Sequence, residues 1–432
     1  MHNNIALEHI KKVHCIGIGG IGLSALARMF LRKGAEVAGS DMSMSHVTEL
    51  LESEGVQVFF GHAKEHVAVD TDVLLYSIAV PDNNPELIVA RELGIPMLTY
   101  PEALGVVSAG MRVVAISGTH GKTTTTAMTS QVLVDGGADP TVVVGSLLPE
   151  YNSNFIPGES DLFVVEACEY RRSFLNIVPS ILVILNIEAD HLDYYKDLAD
   201  IQSAFRELID RMPEDGVVIC DPNAPSLMPV LKGISQRIVS YPQYNLTVSL
   251  QVPGEYNRNN ARAAGSVARV LGLADDIIQS GLVAYRGVWR RFEYKGVTKT
   301  GAEVYDDYAH HPTEVQALLL GVSERFPDQK IVAVFESHMY SRTQELLADF
   351  GISFTHADEV IVLPIYRARG DTETMITTED LTNEIKKNHN QVTQLGSFED
   401  AKEYLGEHTK NGDLVITIGA GPVTKLSDML VG

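Results

Sequence analysis

Val113-Val114-Ala115-Ile116-Ser117-Gly118-Thr119-His120-Gly121-Lys122-Thr123-Thr124-Thr125-Thr126 is the stretch on which the fold turns. Four apolar residues make a strand, glycines at 118 and 121 make a turn, and a helix is expected from about residue 122 to 134. The turn lacks the first glycine of the full G-x-x-x-x-G-K-T pattern, because Ile116 stands in its place. What remains is its working end. Free amides at the start of a helix receive phosphate charge, Lys122 can meet β/γ-phosphates, and Thr123 can reach Mg²⁺. Thr124, Thr125 and Thr126 are poor helix formers. Phosphate binding is therefore expected of Gly118, Thr119, His120, Gly121, Lys122, Thr123 and Thr124.

Upstream, residues 13–18 form an apolar strand that runs into Gly17-Ile18-Gly19-Gly20-Ile21-Gly22, a G-x-G-x-x-G pattern opening a helix. Such glycines let a backbone approach a pyrophosphate closely, and Asp41 could meet a ribose or another hydroxyl-rich group. The pattern alone leaves three readings open: a tight turn that only packs helix on strand, a nicotinamide or flavin nucleotide, and another diphosphate nucleotide. Further strands are expected at 36–38, 56–59 and 73–76, the last ending at Ser77. Strand and helix signals alternate, so a parallel sheet follows.

Downstream, strands at 162–165 and 181–185 are nearly all apolar, as strands covered on both faces should be. They end in acidic groups, Glu166 and the run Asn186-Ile187-Glu188-Ala189-Asp190-His191. In an open parallel sheet ligands gather beyond the carboxyl ends of strands. Thr123 and Glu166 are thus expected to share one magnesium, with His191 near a second; an imidazole is the less ordinary ligand for that ion. Glu169, Arg171 and Arg172 read as a substrate-facing loop. A third unit begins near Phe292, with strands at 303–305, 331–335, 360–363 and 414–418. Asp306-Asp307-Tyr308-Ala309-His310-His311-Pro312 closes the first of these and starts a helix at Pro312. Arg290 and Arg291 place two positive charges near the second boundary, a sensible phosphate clamp.

The 432 residues suggest roughly three domains. With 34 basic and 56 acidic residues the formal charge is 34 − 56 = −22, which argues against a general nucleic-acid binder. No apolar run suits a membrane span, and the polar start lacks a secretory signal. Three cysteines without metal-like spacing, Cys15, Cys168 and Cys220, fit a reduced cytoplasmic setting as buried small hydrophobes.

Together GIGGIG, GTHGKTTTT, EACEYRRSFL, NIEADHLDYY, VPGEYNRNNARAA, GVWRRFE, DDYAHHPTE and YSRT occur in the order found in the Mur ligases, and nearly the whole chain resembles that family in its alanine-adding branch. The resemblance implies three successive α/β domains: a Rossmann-like one (1–108) for the uridine diphosphate sugar, a P-loop ATPase-like one (109–292) for ATP and magnesium, and a Rossmann-like one (293–432) for closure and the amino acid. It implies cytoplasmic joining of UDP-N-acetylmuramate to L-alanine at the expense of ATP, with no nucleic-acid or membrane partner. Lys122, Glu166, His191 and Arg342 would serve the chemistry. Asn257, Asn260, Arg291, Asp307 and His310 would attend the nucleotide. Gly17, Gly19, Gly20, Ile21, Gly22, Asp41, Ser77, Glu169 and Arg171 would face the sugar nucleotide, and His338 with Arg342 the amino acid.

There are departures from the family pattern. Met339 stands where an arginine is usual and Ser337 where a proline is, and the stretch from Asp221 to Gly254 is short. Rival readings are a recycling ligase that adds a tripeptide, a dehydrogenase built on GIGGIG, and a catalytically silent UDP-sugar-binding protein.

Overall fold

A computed structural model describes residues 9–367, 371 and 375–432. They form three sheets and two compact units, one of residues up to 248 with 259–284, the other of 249–258 with 285–432. In the first unit a five-stranded parallel sheet has the spatial order Gln57–Phe60, Glu36–Asp41, Lys12–Ile16, Val73–Tyr76, Met97–Thr99. Chain order reverses at the central Lys12–Ile16, so the crevice beyond that strand opens where GIGGIG follows it. The second strand continues through Gly39, Ser40 and Asp41 instead of turning after Ala38. A side chain on Gly39 would lie 2.4 Å from the Cys15 carbonyl oxygen, so glycine here serves close backbone approach rather than a turn.

The seven-stranded sheet of the same unit runs Arg237–Ser240, Val217–Cys220, Ile181–Ile184, Arg112–Ser117, Leu162–Glu166, Thr141–Leu148, Ser153–Ile156. Only the last pairing is antiparallel. Periodicity did not reveal that hairpin, because its strand Thr141–Leu148 is buried along almost its whole length. On the opposite edge the sheet ends at Arg237–Ser240, and no strand follows among the described residues before the helix Glu255–Val270. Buried side chains of the two sheets merge into one core that includes Val13, Leu26, Val143, Phe163 and Phe205.

Helix Lys122–Asp135 forms despite its threonines because it is buried almost all round. Thr126 and Thr129 return their hydroxyls to the carbonyls of Lys122 (2.9 Å) and Thr125 (2.7 Å), which satisfies them without solvent. Cys15 and Cys220 are buried as expected; Cys168 is exposed, since it follows the end of a strand on the loop beside Glu166.

The second unit holds a six-stranded sheet, Glu293–Val297, Glu303–Asp307, Leu414–Ile418, Ile331–Phe335, Glu359–Val362, Val392–Gln394, parallel apart from its first strand. Asp307, the Gly419–Gly421 loop and Glu336 therefore emerge side by side at one carboxyl edge. Helix Pro312–Arg325 starts at its proline, capped by His311, whose ring nitrogen accepts from the Thr313 amide. No helix among the described residues is long and apolar enough to cross a membrane.

Candidate active site

Strand Arg112–Ser117 lies between Leu162–Glu166 and Ile181–Ile184. The loop after it is accordingly flanked by Glu166 to Glu169 on one side and Asn186 to His191 on the other. Gly118 and Gly121 have φ of +131° and +85°, conformations that favour glycine. Asn186 clamps the loop from across the sheet. Its Oδ1 accepts from the His120 amide at 2.8 Å and its Nδ2 donates to the His120 carbonyl at 3.2 Å. Thr119 Oγ1 in turn accepts from the Glu188 amide at 2.9 Å. Asn186 stood in the quoted NIEADH run but carried no signal of its own.

Lys122 Nζ donates to the Gly118 and Thr119 carbonyls at 2.5 and 3.0 Å, and pairs with both oxygens of buried Glu169 at 3.1 and 3.0 Å. Burial works against its charge, but Glu169 outweighs that, so Lys122 is held above the ordinary lysine range and remains a cation. Glu169 thus faces the phosphate-loop lysine. Of its neighbours, Arg172 is tied to Asp200 and Glu207, while Arg171 is exposed beside the Tyr170 ring.

Thr123 Oγ1 donates to Glu166 Oε2 at 2.9 Å, and the Gly145 amide reaches the same oxygen at 2.9 Å. A hydroxyl and a carboxylate at this spacing are the hard oxygen donors magnesium selects. His191 sits at φ +56° with its ring 4.7 Å from that of Tyr170 and 3.9 Å from the Asp190 carboxylate. Among the described residues no group of three or more His, Cys, Asp or Glu is placed to hold a metal. Thr124 is buried in the first helical turn, and Asn260 lies against Gly121, where a side chain would meet its Oδ1 at 2.5 Å.

The second glycine loop belongs to the same unit. Gly17 (φ +81°) and Ile18 donate their amides to the Ser40 carbonyl, and Ser77 packs beside Gly17. Helix Ile21–Arg32 starts after Gly20 with no side-chain cap. Asp41 comes to the loop, but its carboxylate accepts from the Gly19 amide at 2.9 Å. Helix and central sheet are locked together by Asn154. It donates to the Ile21 carbonyl and to Ser24 Oγ, and accepts from buried Arg28 at 2.7 Å.

In the second unit Asp307, His310, His338 and Arg342 gather at one edge. Asp307 accepts from the Phe292 and Ala309 amides, and burial raises its carboxyl to about 6. Burial lowers both His310 and His338 to about 4, so the two rings, 6.4 Å apart, are neutral near pH 7. The Nδ1 of His338 is buried without a hydrogen bond, and Arg342 makes no ion pair among the described residues. Met339 adopts φ +74° and donates its amide to the Tyr366 carbonyl, while buried Ser337 bonds Thr343. Asn257 donates to the Pro253 carbonyl at 2.7 Å. The pair of arginines divides. Arg291 lies over Tyr308, but Arg290 is buried against Asp306 and the carbonyls of Gly419 and Ala420, a structural tie rather than a phosphate ligand. Sequence reasoning missed Glu336, buried and pushed up to about 7, whose only hydrogen-bond donor among the described residues is the Val423 amide.

Three successive stretches of the chain match models of one protein family. Residues 12–112 match the Mur ligase family catalytic domain, 116–241 the Mur ligase middle domain, and 290–421 the Mur ligase glutamate ligase domain. The chain is 39% identical to UDP-N-acetylmuramate–L-alanine ligase of Clostridium botulinum, over 98% of this chain and 97% of that one. It is 40% identical to the enzyme of the same name from Clostridium novyi, over 100% and 99%. The crystal structure of UDP-N-acetylmuramate–alanine ligase from Thermotoga maritima superposes with a TM-score of 0.84 at 26% identity, covering 98% of each chain. With a phosphate loop facing a carboxylate–hydroxyl pair, a second glycine loop in the same unit, and full-length relatives at this identity, the chain belongs to the Mur ligase family.

Proposed function

We propose that this chain joins the muramyl carboxylate of UDP-N-acetylmuramate to the amine of L-alanine, consuming ATP and yielding ADP, phosphate and the amide. The family is one of ATP-dependent amide-forming ligases. The observation that carries the reading is the Lys122, Thr123 and Glu166 constellation at the phosphate loop, set in one compact unit with GIGGIG.

A carboxylate is a poor acyl donor, since its charge repels nucleophiles and its oxygen leaves badly. Phosphorylation by ATP makes an acyl phosphate, which the amine attacks with loss of inorganic phosphate. No protein nucleophile is needed, so positioning and electrostatics carry the catalysis. Lys122 neutralises β/γ-phosphate charge, and with the loop clamped by Asn186 the free amides that open helix Lys122–Asp135 add donors that need no reorganisation. Thr123 and Glu166 would hold magnesium, with His191 beside a second ion. Magnesium there would offset charge on the phosphates and on the carboxylate. In the second unit Arg342 offers a fixed cation for the amino-acid carboxylate, and the neutral His310 and His338 rings add no positive charge against the incoming amine. Arg291, Asp307 and Asn257 are assigned to the nucleotide side, and a cytoplasmic setting follows from these substrates.

The test is phosphate release from ATP and magnesium with UDP-N-acetylmuramate and each amino acid in turn, with the amide confirmed by mass. L-Alanine is expected to give the highest kcat/KM. Preference for the murein tripeptide in competition would transfer the reading to a recycling ligase, which the loss of the usual cation at Met339 makes worth including. Binding of the sugar nucleotide with no ADP release would identify a silent binding protein.

A further inference from the structure

Tyr100 opens helix Tyr100–Val107 in the first unit. A side chain on Gly22, the last glycine of GIGGIG, would lie 2.6 Å from Tyr100 Cζ and within 2.9 Å of both adjoining ring carbons. The hydroxyl-bearing end of the ring therefore rests on the first turn of helix Ile21–Arg32, in space that only glycine leaves free. Glu166 is near enough that its charge, after the larger effect of burial, holds the phenol well above the ordinary tyrosine range. The group stays a neutral donor at any working pH. Its hydroxyl makes no hydrogen bond to any described residue.

The residue is also held in place before any ligand arrives. Thr99 and Glu102 form a reciprocal cap, with the Thr99 hydroxyl 2.7 Å from the Glu102 carboxylate, and Pro101 stiffens the first turn. On its far side the helix packs into the core shared by the two sheets.

We infer that Tyr100 contacts the substrate of the ligation, its hydroxyl donating a hydrogen bond to the carboxylate of the nucleotide sugar that is to be phosphorylated. The inference rests on the function proposed above. That carboxylate must come from the glycine loop toward the Glu166 pair, and there it meets a like charge. A neutral donor between the two offsets the repulsion without adding a cation that would compete with Lys122. The diphosphate has other donors available in the amides that open helix Ile21–Arg32, so the phenol is assigned to the acid end of the sugar.

Tyr100→Phe removes one oxygen and leaves the ring on Gly22. Hydrogen bonds to charged groups are worth enough that KM for UDP-N-acetylmuramate should rise about 10- to 100-fold. KM for ATP, calorimetric affinity for UDP alone and the melting temperature should stay as in the parent. An unchanged KM for the sugar nucleotide would overturn the inference, and so would an equal loss of affinity for UDP, which would move the contact to the diphosphate. A parent protein that neither binds UDP-N-acetylmuramate nor releases phosphate with it would instead defeat the functional reading itself.

Discussion

The substitution Glu86→Gln should destabilise the first unit in a way that depends on pH. Glu86 is fully buried at the start of helix Pro85–Leu93, and four donors converge on it. His14 Nε2 and Ser40 Oγ meet Oε2 at 2.7 Å each, while His66 Nδ1 and the Ala63 amide meet Oε1 at 3.1 and 3.2 Å. A carboxylate only accepts, so both histidine nitrogens donate. The one Ser40 proton is then committed, and His62 Nδ1, 3.0 Å away, must donate to Ser40. Burial alone would raise the Glu86 carboxyl. The donors from His14, Ser40 and His66 outweigh it and bring the group to about 2 from an ordinary 4.5. That interval corresponds to roughly 3 kcal/mol. Because the folded value lies below the unfolded one, this stability is fully present above pH 4.5 and drains away as pH falls toward 2. The glutamine amide of the variant cannot titrate, and it turns an NH₂ toward donors. Urea unfolding followed by circular dichroism should show a deficit of roughly 3 kcal/mol at pH 7, shrinking to about half near pH 3. A deficit constant between pH 7 and pH 3 would refute the reasoning, since the anion would then contribute nothing.

Two further substitutions probe the phosphate loop. Lys122→Ala should abolish ATP-dependent amide formation, by about 10³-fold or more, while calorimetric binding of UDP-N-acetylmuramate persists. It also orphans the Glu169 carboxylate, so Lys122→Ala with Glu169→Ala should recover thermal stability without recovering turnover. Glu166→Ala removes one oxygen of the Thr123 pair and should raise the magnesium concentration for half-maximal rate by about 10-fold or more. A superimposable magnesium titration would contradict that assignment.

Much of the site was legible in the sequence because its signals are local. A strand, two glycines, a lysine and a threonine lie within a dozen residues, and the backbone that cradles phosphate is built from that segment alone. Glu166 was legible as a strand end, since apolar runs end where a sheet meets its crevice; the clamp that Asn186 places on the loop was not. The roles of charged side chains were not. Asp41 accepts from Gly19, Glu169 grips Lys122, and Arg290 closes on Asp306 and the carbonyls of Gly419 and Ala420. Each of these ties joins two separate segments, brought close by sheet order.

Sequence by itself determined the family, the order of three α/β sheets, and where the two glycine loops fall between strand and helix, because those properties depend on spacing along the chain. Tertiary structure alone decided that the Tyr100 ring would rest on Gly22, that His14, Ser40, His62 and His66 would surround Glu86, and that Asn154 would lock the first helix to the central sheet. In each case the interaction joins residues far apart in sequence, and its strength comes from the exclusion of water. Neither that separation nor that burial is written in any one stretch of residues.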